Sequence, residues 1–269
     1  MLRLLGGFVE VGGPGVLRLV TAIAAAALIA GCTGNNRATQ GPVTLTYQDQ
    51  DHRFSEEILS RSNRAIARIG DFWGIEFNRN VKINVDPRVN RSTAFYAEKY
   101  INMSSVEVAY FSSVIEHEIA HLVVDRDAQG RPFMNEGIAV YCEMMFKDVG
   151  DASEDQLVDR IDIPARNAIQ RTGYLRIAGT DEAIDDRAGR YFSKRLTAYF
   201  EAASFVKYLL ANYGLPKFKR VYRGASFEAV YAKSLGMLEA EWLDATFPDM
   251  GGRKLMDGIT IEARTTAAK

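Results

Sequence analysis

Residues 112–125 read SSVIEHEIAHLVVD, placing His117 and His121 four positions apart around Glu118 in a chain that has only three histidines. On a helix, positions i and i+4 lie one turn apart on one face, so both imidazoles aim at a single point. Glu118 projects beside that point without having to ligate it. The pair therefore predicts a helix whose polar face binds Zn²⁺, one ion per chain, with the glutamate left as general base.

A catalytic zinc takes three protein ligands and keeps one position open for water. The remaining histidine, His52, stands far upstream in a polar segment that reads as surface, so the third ligand is sought among carboxylates. Glu136, in FMNEGIAVY, follows His121 by fifteen residues, and Glu143 stands two turns later as its rival. A loop over DRDAQGRPF would turn the chain back and bring a second helix against the first. Asp125, one turn beyond His121, is either an acceptor for an imidazole N–H or a solvated acid at the helix end.

The rest of the chain supplies the frame. Its 269 residues, 47 % hydrophobic and 25 % charged, suffice for a full core in one domain or two small ones. Formal charge is −1, with no basic run and no patch of interleaved aromatics, which excludes nucleic acid as the expected partner.

Residues 1–31 read as a secretory signal: Arg18, an apolar run from Leu19 to Ala30, and small residues ending at Cys32, which is either incidental or the end of a lipoprotein signal peptide. The run is shorter than the roughly 20 residues a membrane span needs. Its end, LIAGC, resembles a bacterial lipobox, which implies acylation of Cys32 and membrane attachment through that lipid, with 32–42 as a polar tether. Thr33 after the cysteine points to the outer membrane, the body facing the periplasm. Without residues 1–31 the chain keeps 31 basic and 33 acidic side chains. With Cys32 lipidated, Cys142 has no disulfide partner and reads as a small buried residue.

Along the body, VTLTYQ (43–48) and VKINVDP (81–87) read as strands, FSEEILSRSNRAIARIGDFWG as an amphipathic helix, and TAFYAEKYINMSS as one further strand. MNEGIAVYCEMMFKD is apolar nearly all round and reads as a buried helix. The charged stretch 148–190 reads as loops and short helices. LTAYFEAASFVKYLLANYG is a helix ended by Gly214, and a helical pair follows over 227–247. The expected class is α+β: an α/β subdomain over 43–110, a helical subdomain over 111–250 that carries the motif, and a tail over 251–269.

HEIAH followed by NEGIAVY resembles the gluzincin metallopeptidases, in particular the M1 aminopeptidase-like group and its smaller peptidase MA-like relatives. The resemblance covers roughly 90–247 and is specific at those two segments. It implies a zincin-like fold, Glu136 as third zinc ligand, and peptide or unfolded protein as substrate. YFEAAS, from Tyr199, resembles the segment whose tyrosine donates a hydrogen bond to the oxyanion; the alternative reading of Tyr199 is a core aromatic on an amphipathic helix. Trp242, in the matching last helix, reads as core. NMSS stands where the exopeptidases of this group carry an acidic motif, so endopeptidase or limited-processing activity is the expectation. Substrate is expected along an edge strand within TAFYAEKYINM. The competing expectation is a non-catalytic envelope chaperone or assembly scaffold of the same fold.

Overall fold

The structure, a computed structural model, describes residues 35–110, 114–124, 131–147, 154–184 and 192–256. The signal segment 1–31, Cys32 and Asp125 lie outside the described residues. Five strands form one mixed sheet: β1 (Asn35–Gln40), β2 (Val43–Gln48), β3 (Val81–Asp86), β4 (Thr93–Phe95) and β5 (Tyr100–Ser104), in the order β1-β2-β3-β5-β4. β2, β3 and β5 run parallel, while the two edge strands pair antiparallel to their neighbours.

Alternation decides which way the sheet faces. Leu45, Ile83, Ile101 and Ala94 are cross-strand partners in one buried row, and Thr44, Lys82, Tyr100 and Phe95 form the adjacent row on the other face. A slip of one residue in any strand would exchange these rows, so the apolar pattern sets the register. Helix α1 (Ser55–Trp73) covers the apolar face with Ile58, Ala65, Ile66 and Ile69 and ends at Gly74, in the left-handed conformation at φ 65°.

Two elements differ from the sequence reading at this end. The segment read as a tether, 32–42, contains β1, whose side chains are mostly exposed. Backbone pairing with β2 holds it, through a two-residue turn at Gly41–Pro42, so no apolar alternation announced it. Asn63 Nδ2 on α1 donates to Gln40 O at 3.0 Å, and a Cβ on Gly41 would stand 2.7 Å from Asn63 Oδ1. TAFYAEKYINMSS is two strands, β4 and β5, joined by a turn in which Lys99 has φ +49° and its ammonium lies 3.1 Å from the Tyr96 ring centre.

The helical part follows: α2 (Ser105–Tyr110), α3 (Val114–Val123), α4 (Pro132–Phe146), α5 (Glu154–Thr172), α6 (Thr180–Ile184), α7 (Phe192–Tyr213), α8 (Leu215–Tyr222), α9 (Phe227–Tyr231) and α10 (Leu235–Thr246). One buried apolar cluster runs from the sheet through these helices without a break at residue 110. The charged stretch 148–190 contains, in α5, a 19-residue helix rather than only loops and short helices. Ile161, Ala165, Ala168 and Ile169 are its buried stripe, a spacing outweighed in the sequence by the acidic and basic residues around it. Ser204 on α7 joins two neighbours, accepting from Trp242 Nε1 at 3.0 Å and donating to Asp162 Oδ1 at 2.6 Å. The segment read as a tail from residue 251 begins folded: Gly252 N donates to Phe247 O and Arg253 N to Asp244 Oδ1.

α4 is held at both its start and its middle. Phe133 N, an otherwise unpaired donor in its first turn, gives its proton to Asp181 Oδ1 on α6 at 2.9 Å. At Gly137 the helix approaches α7 so closely that a Cβ would stand 2.8 Å from Ala202 O and 2.9 Å from Val206 Cγ2. Gly137→Ala is expected to push the helices apart and destabilise the fold by about 1–3 kcal/mol, measured as a lowered urea midpoint. An unchanged midpoint would mean that the two helices adjust without strain.

Candidate metal centre

Helix α3 turns two chemically distinct faces to its surroundings. Ile115, Ile119, Leu122 and Val123 are buried in the core, and Glu116 reaches α1, where Arg61 Nε donates to Glu116 Oε1 at 3.0 Å and Nη2 to Oε2 at 2.5 Å. His117, Glu118 and His121 face α4 and α7. The buried Arg61–Glu116 pair thereby helps set the rotation of the helix about its axis, because it pins the residue next to His117, about 100° around the helix from it.

His117, His121 and Glu136 come together. One ligand atom from each lies within 4.8 Å of the others, with His117 Nε2 3.2 Å from His121 Nε2 and Glu136 Oε2 3.2 and 3.6 Å from the two imidazoles. Glu143 does not join them. Its Oε2 lies 3.1 Å from His117 Nδ1, behind the ring, which corrects its standing as rival ligand. The two carboxylates, seven residues apart on α4, thus flank one imidazole, Glu136 at its front and Glu143 at its back.

This geometry assigns the protons. A carboxylate oxygen accepts, so Glu143 takes the His117 Nδ1 proton, which leaves Nε2, facing Glu136 and His121, as the nitrogen at which a bound cation would replace a proton. Glu136 Oε2 is buried and has no donor in hydrogen-bonding geometry. Three ligand atoms thus converge, and a proton at Nε2 can bridge only two of them at once. A cation satisfies all three, and two nitrogens with one carboxylate oxygen form the donor set of a catalytic zinc.

The field around the site is shaped by burial. Burial alone would lower the His117 pKa, yet the adjacent Glu136 and Glu143 carboxylates and the Glu118 charge hold it well above the usual imidazole range. Burial likewise favours a neutral Glu136, but His121 and His117 outweigh it and keep that carboxyl well below the usual range. Glu118, 5 % exposed, is pushed above the ordinary carboxylate value by burial, with the histidines and Arg91 pulling back and Glu136 pushing further. A carboxylate so raised accepts a proton more readily than one in water.

Tyr199 of α7 is also here, its ring stacked against His117 at 6.3 Å between centres and 26° between planes. Burial and Glu136 push its phenol above the ordinary value, so it is protonated at neutral pH and able to donate. Arg91, ahead of β4, donates from Nη2 to the Tyr199 hydroxyl. Sequence reasoning missed Arg91: it lies 108 positions from Tyr199, and no local pattern marks it. His52 is exposed, Cys142 is fully buried and free, and Trp242 is core. Among the described residues no helix is long and apolar enough to cross a membrane.

No family model and no curated protein matches the chain. Solved structures do resemble it: the M1 zinc metallopeptidase from Deinococcus radiodurans, at 16 % identity and TM-score 0.39, over 84 % of this chain and 50 % of that one. A point mutant of the same enzyme aligns at 15 % identity and TM-score 0.41, over 83 % of this chain and 50 % of the other. The chain thus spans about half the length of the solved structures it resembles.

Proposed function

We propose that this protein is a zinc-dependent peptidase of the endopeptidase or limited-processing type, acting on extended or unfolded chains. The observation that carries the proposal is the convergence of His117 Nε2, His121 Nε2 and Glu136 Oε2 beside a buried glutamate that is not one of the three. His117, His121 and Glu136 hold the metal, and Glu143 orients His117 from behind. Bound zinc supplies a Lewis acid that acidifies a water and polarises the scissile carbonyl.

Glu118 takes the proton from the attacking water and returns it to the leaving amine, as base and then acid. Tyr199 donates its O–H to the carbonyl oxygen as negative charge develops there. β4 presents the only strand edge on the motif side of the sheet among the described residues and packs against α3. An extended peptide pairing with β4 would lie across the zinc site with its backbone satisfied. β5 is interior, which confines this role to the β4 half of TAFYAEKYINM. The LIAGC sequence ending at Cys32 supports a lipid-anchored setting in the bacterial envelope, and Thr33 after it supports the outer membrane.

The testing experiment is zinc content by elemental analysis. About one zinc per chain is expected in the wild type and none in Glu136→Ala, while Glu143→Ala keeps the ion with affinity lowered about 10–100-fold. Zinc retained by Glu136→Ala and lost from Glu143→Ala would exchange the two roles. A wild type that takes up no zinc would leave the scaffold reading.

A further inference from the structure

We infer that Arg91 is a positioning residue for Tyr199, holding the phenol so that its single proton points away from the guanidinium and toward the carbonyl oxygen of a bound peptide. The inference rests on the peptidase reading given above. The contact between the two side chains is a one-way hydrogen bond: a guanidinium has donors only, so toward Arg91 Nη2 the Tyr199 oxygen must accept. A phenol has one proton, and with Arg91 occupying the acceptor side that proton is left for another acceptor.

Two further contacts restrict where it can point. The ring is stacked on His117, whose Nε2 faces the other two metal-ligand atoms, so the phenol lies alongside the zinc site. Arg91 Cζ stands 5.7 Å from the ring centre, holding the ring from the side of β4. Although the Arg91 side chain is exposed, its backbone is tied down next door. Ser92 is 2 % exposed, its N–H donates to Glu107 Oε2 at 2.6 Å, and its Oγ accepts from Ser104 N at 3.0 Å.

Arg91 also lacks the partner expected of a structural arginine. Among the described residues it forms no ion pair, and its hydrogen-bonding partner is a neutral phenol. Its charge is felt instead at Glu118 and Glu136, across the site. A cation in that position polarises the tyrosine O–H toward an oxygen that gains negative charge and is ready before the reaction begins. β4 begins two residues later, so the strand that would align the peptide and the arginine that orients the phenol are set by the same piece of backbone.

The test has a structural and a kinetic arm. In purified protein labelled with ¹³Cζ-tyrosine, the resonance lost in Tyr199→Phe identifies Tyr199 without any need for turnover. That resonance is expected to move in Arg91→Met and to return most of the way in Arg91→Lys. With a quenched-fluorescence peptide that the wild type cleaves, Tyr199→Phe is expected to lower kcat about 10²–10³-fold. Arg91→Met should lower kcat by no more than that with KM unchanged, and the double variant should be no slower than Tyr199→Phe alone. An unmoved resonance, or losses that multiply in the double variant, would overturn the inference. So would a rise in KM that disappears when the peptide's C-terminus is amidated, which would make Arg91 a receptor for the substrate carboxylate. If no peptide is cleaved the peptidase reading falls, while the resonance still decides the Arg91–Tyr199 pair.

Discussion

On the proposed peptidase function, Glu118→Gln is expected to lower kcat for peptide hydrolysis by about 10²–10⁴-fold and to leave zinc content unchanged. The substitution preserves shape in a buried position but removes the group proposed to receive the proton of the attacking water. His117, His121 and Glu136 are untouched, because Glu118 is not one of the three converging donors. Burial raises the Glu118 pKa, with the histidines and Arg91 pulling it back, so its carboxylate holds a proton more readily than one in water. Kinetics and elemental analysis on the same preparation check the prediction. A variant that loses zinc as well would show Glu118 to be a ligand, and one that keeps full activity would remove it from the reaction. If wild type and variant equally lack hydrolysis but equally suppress aggregation of an unfolded protein, the chaperone reading replaces the enzyme.

Arg61→Ala is expected to destabilise the fold by about 3–5 kcal/mol, although Arg61 touches none of the three candidate metal ligands. Its guanidinium and the Glu116 carboxylate are 7 % and 3 % exposed and doubly hydrogen-bonded. Truncating one partner leaves the other charge buried without its counterpart, which is worse than having neither. The double variant Arg61→Met, Glu116→Leu should therefore recover most of the loss, because an apolar pair of similar volume needs no counter-charge. Urea unfolding of the three proteins measures this. A single variant within about 1 kcal/mol of wild type would mean that water reaches Glu116 and the pair is not truly buried. Since Glu116 precedes His117, Arg61→Ala is also expected to weaken zinc binding by freeing the rotation of α3.

The parts of the protein that could be read from the sequence are those written in short-range patterns. HEIAH needs only the 3.6-residue turn to bring its imidazoles together; α1, α7, β2 and β3 each declare themselves by period, and α4 by being apolar nearly all round. β1 did not, because an exposed edge strand is held by backbone hydrogen bonds and leaves its side chains free to be polar. α5 was hidden for a related reason: Ile161, Ala165, Ala168 and Ile169 keep helical spacing, but charge on the remaining faces lowers the contrast. The doubling of TAFYAEKYINMSS into β4 and β5 rested on one left-handed residue, Lys99, of a type that rarely adopts it.

Residue order alone puts His117 and His121 on one helix face with Glu118 beside them, and it narrows the third ligand to two glutamates. Packing made the choice between those two, turning Glu136 toward the imidazoles and sending Glu143 behind His117, because the outcome depends on how α4 is rotated against α3 and α7. That rotation is set by the glycine contact at Ala202 and the Asp181 cap on Phe133, neither of which has a local signature. The same holds for Arg91, which joins the site through a contact spanning 108 positions. Helical periodicity is a property of neighbours in the chain and can be read along it, whereas the meeting of distant side chains follows from packing the whole core.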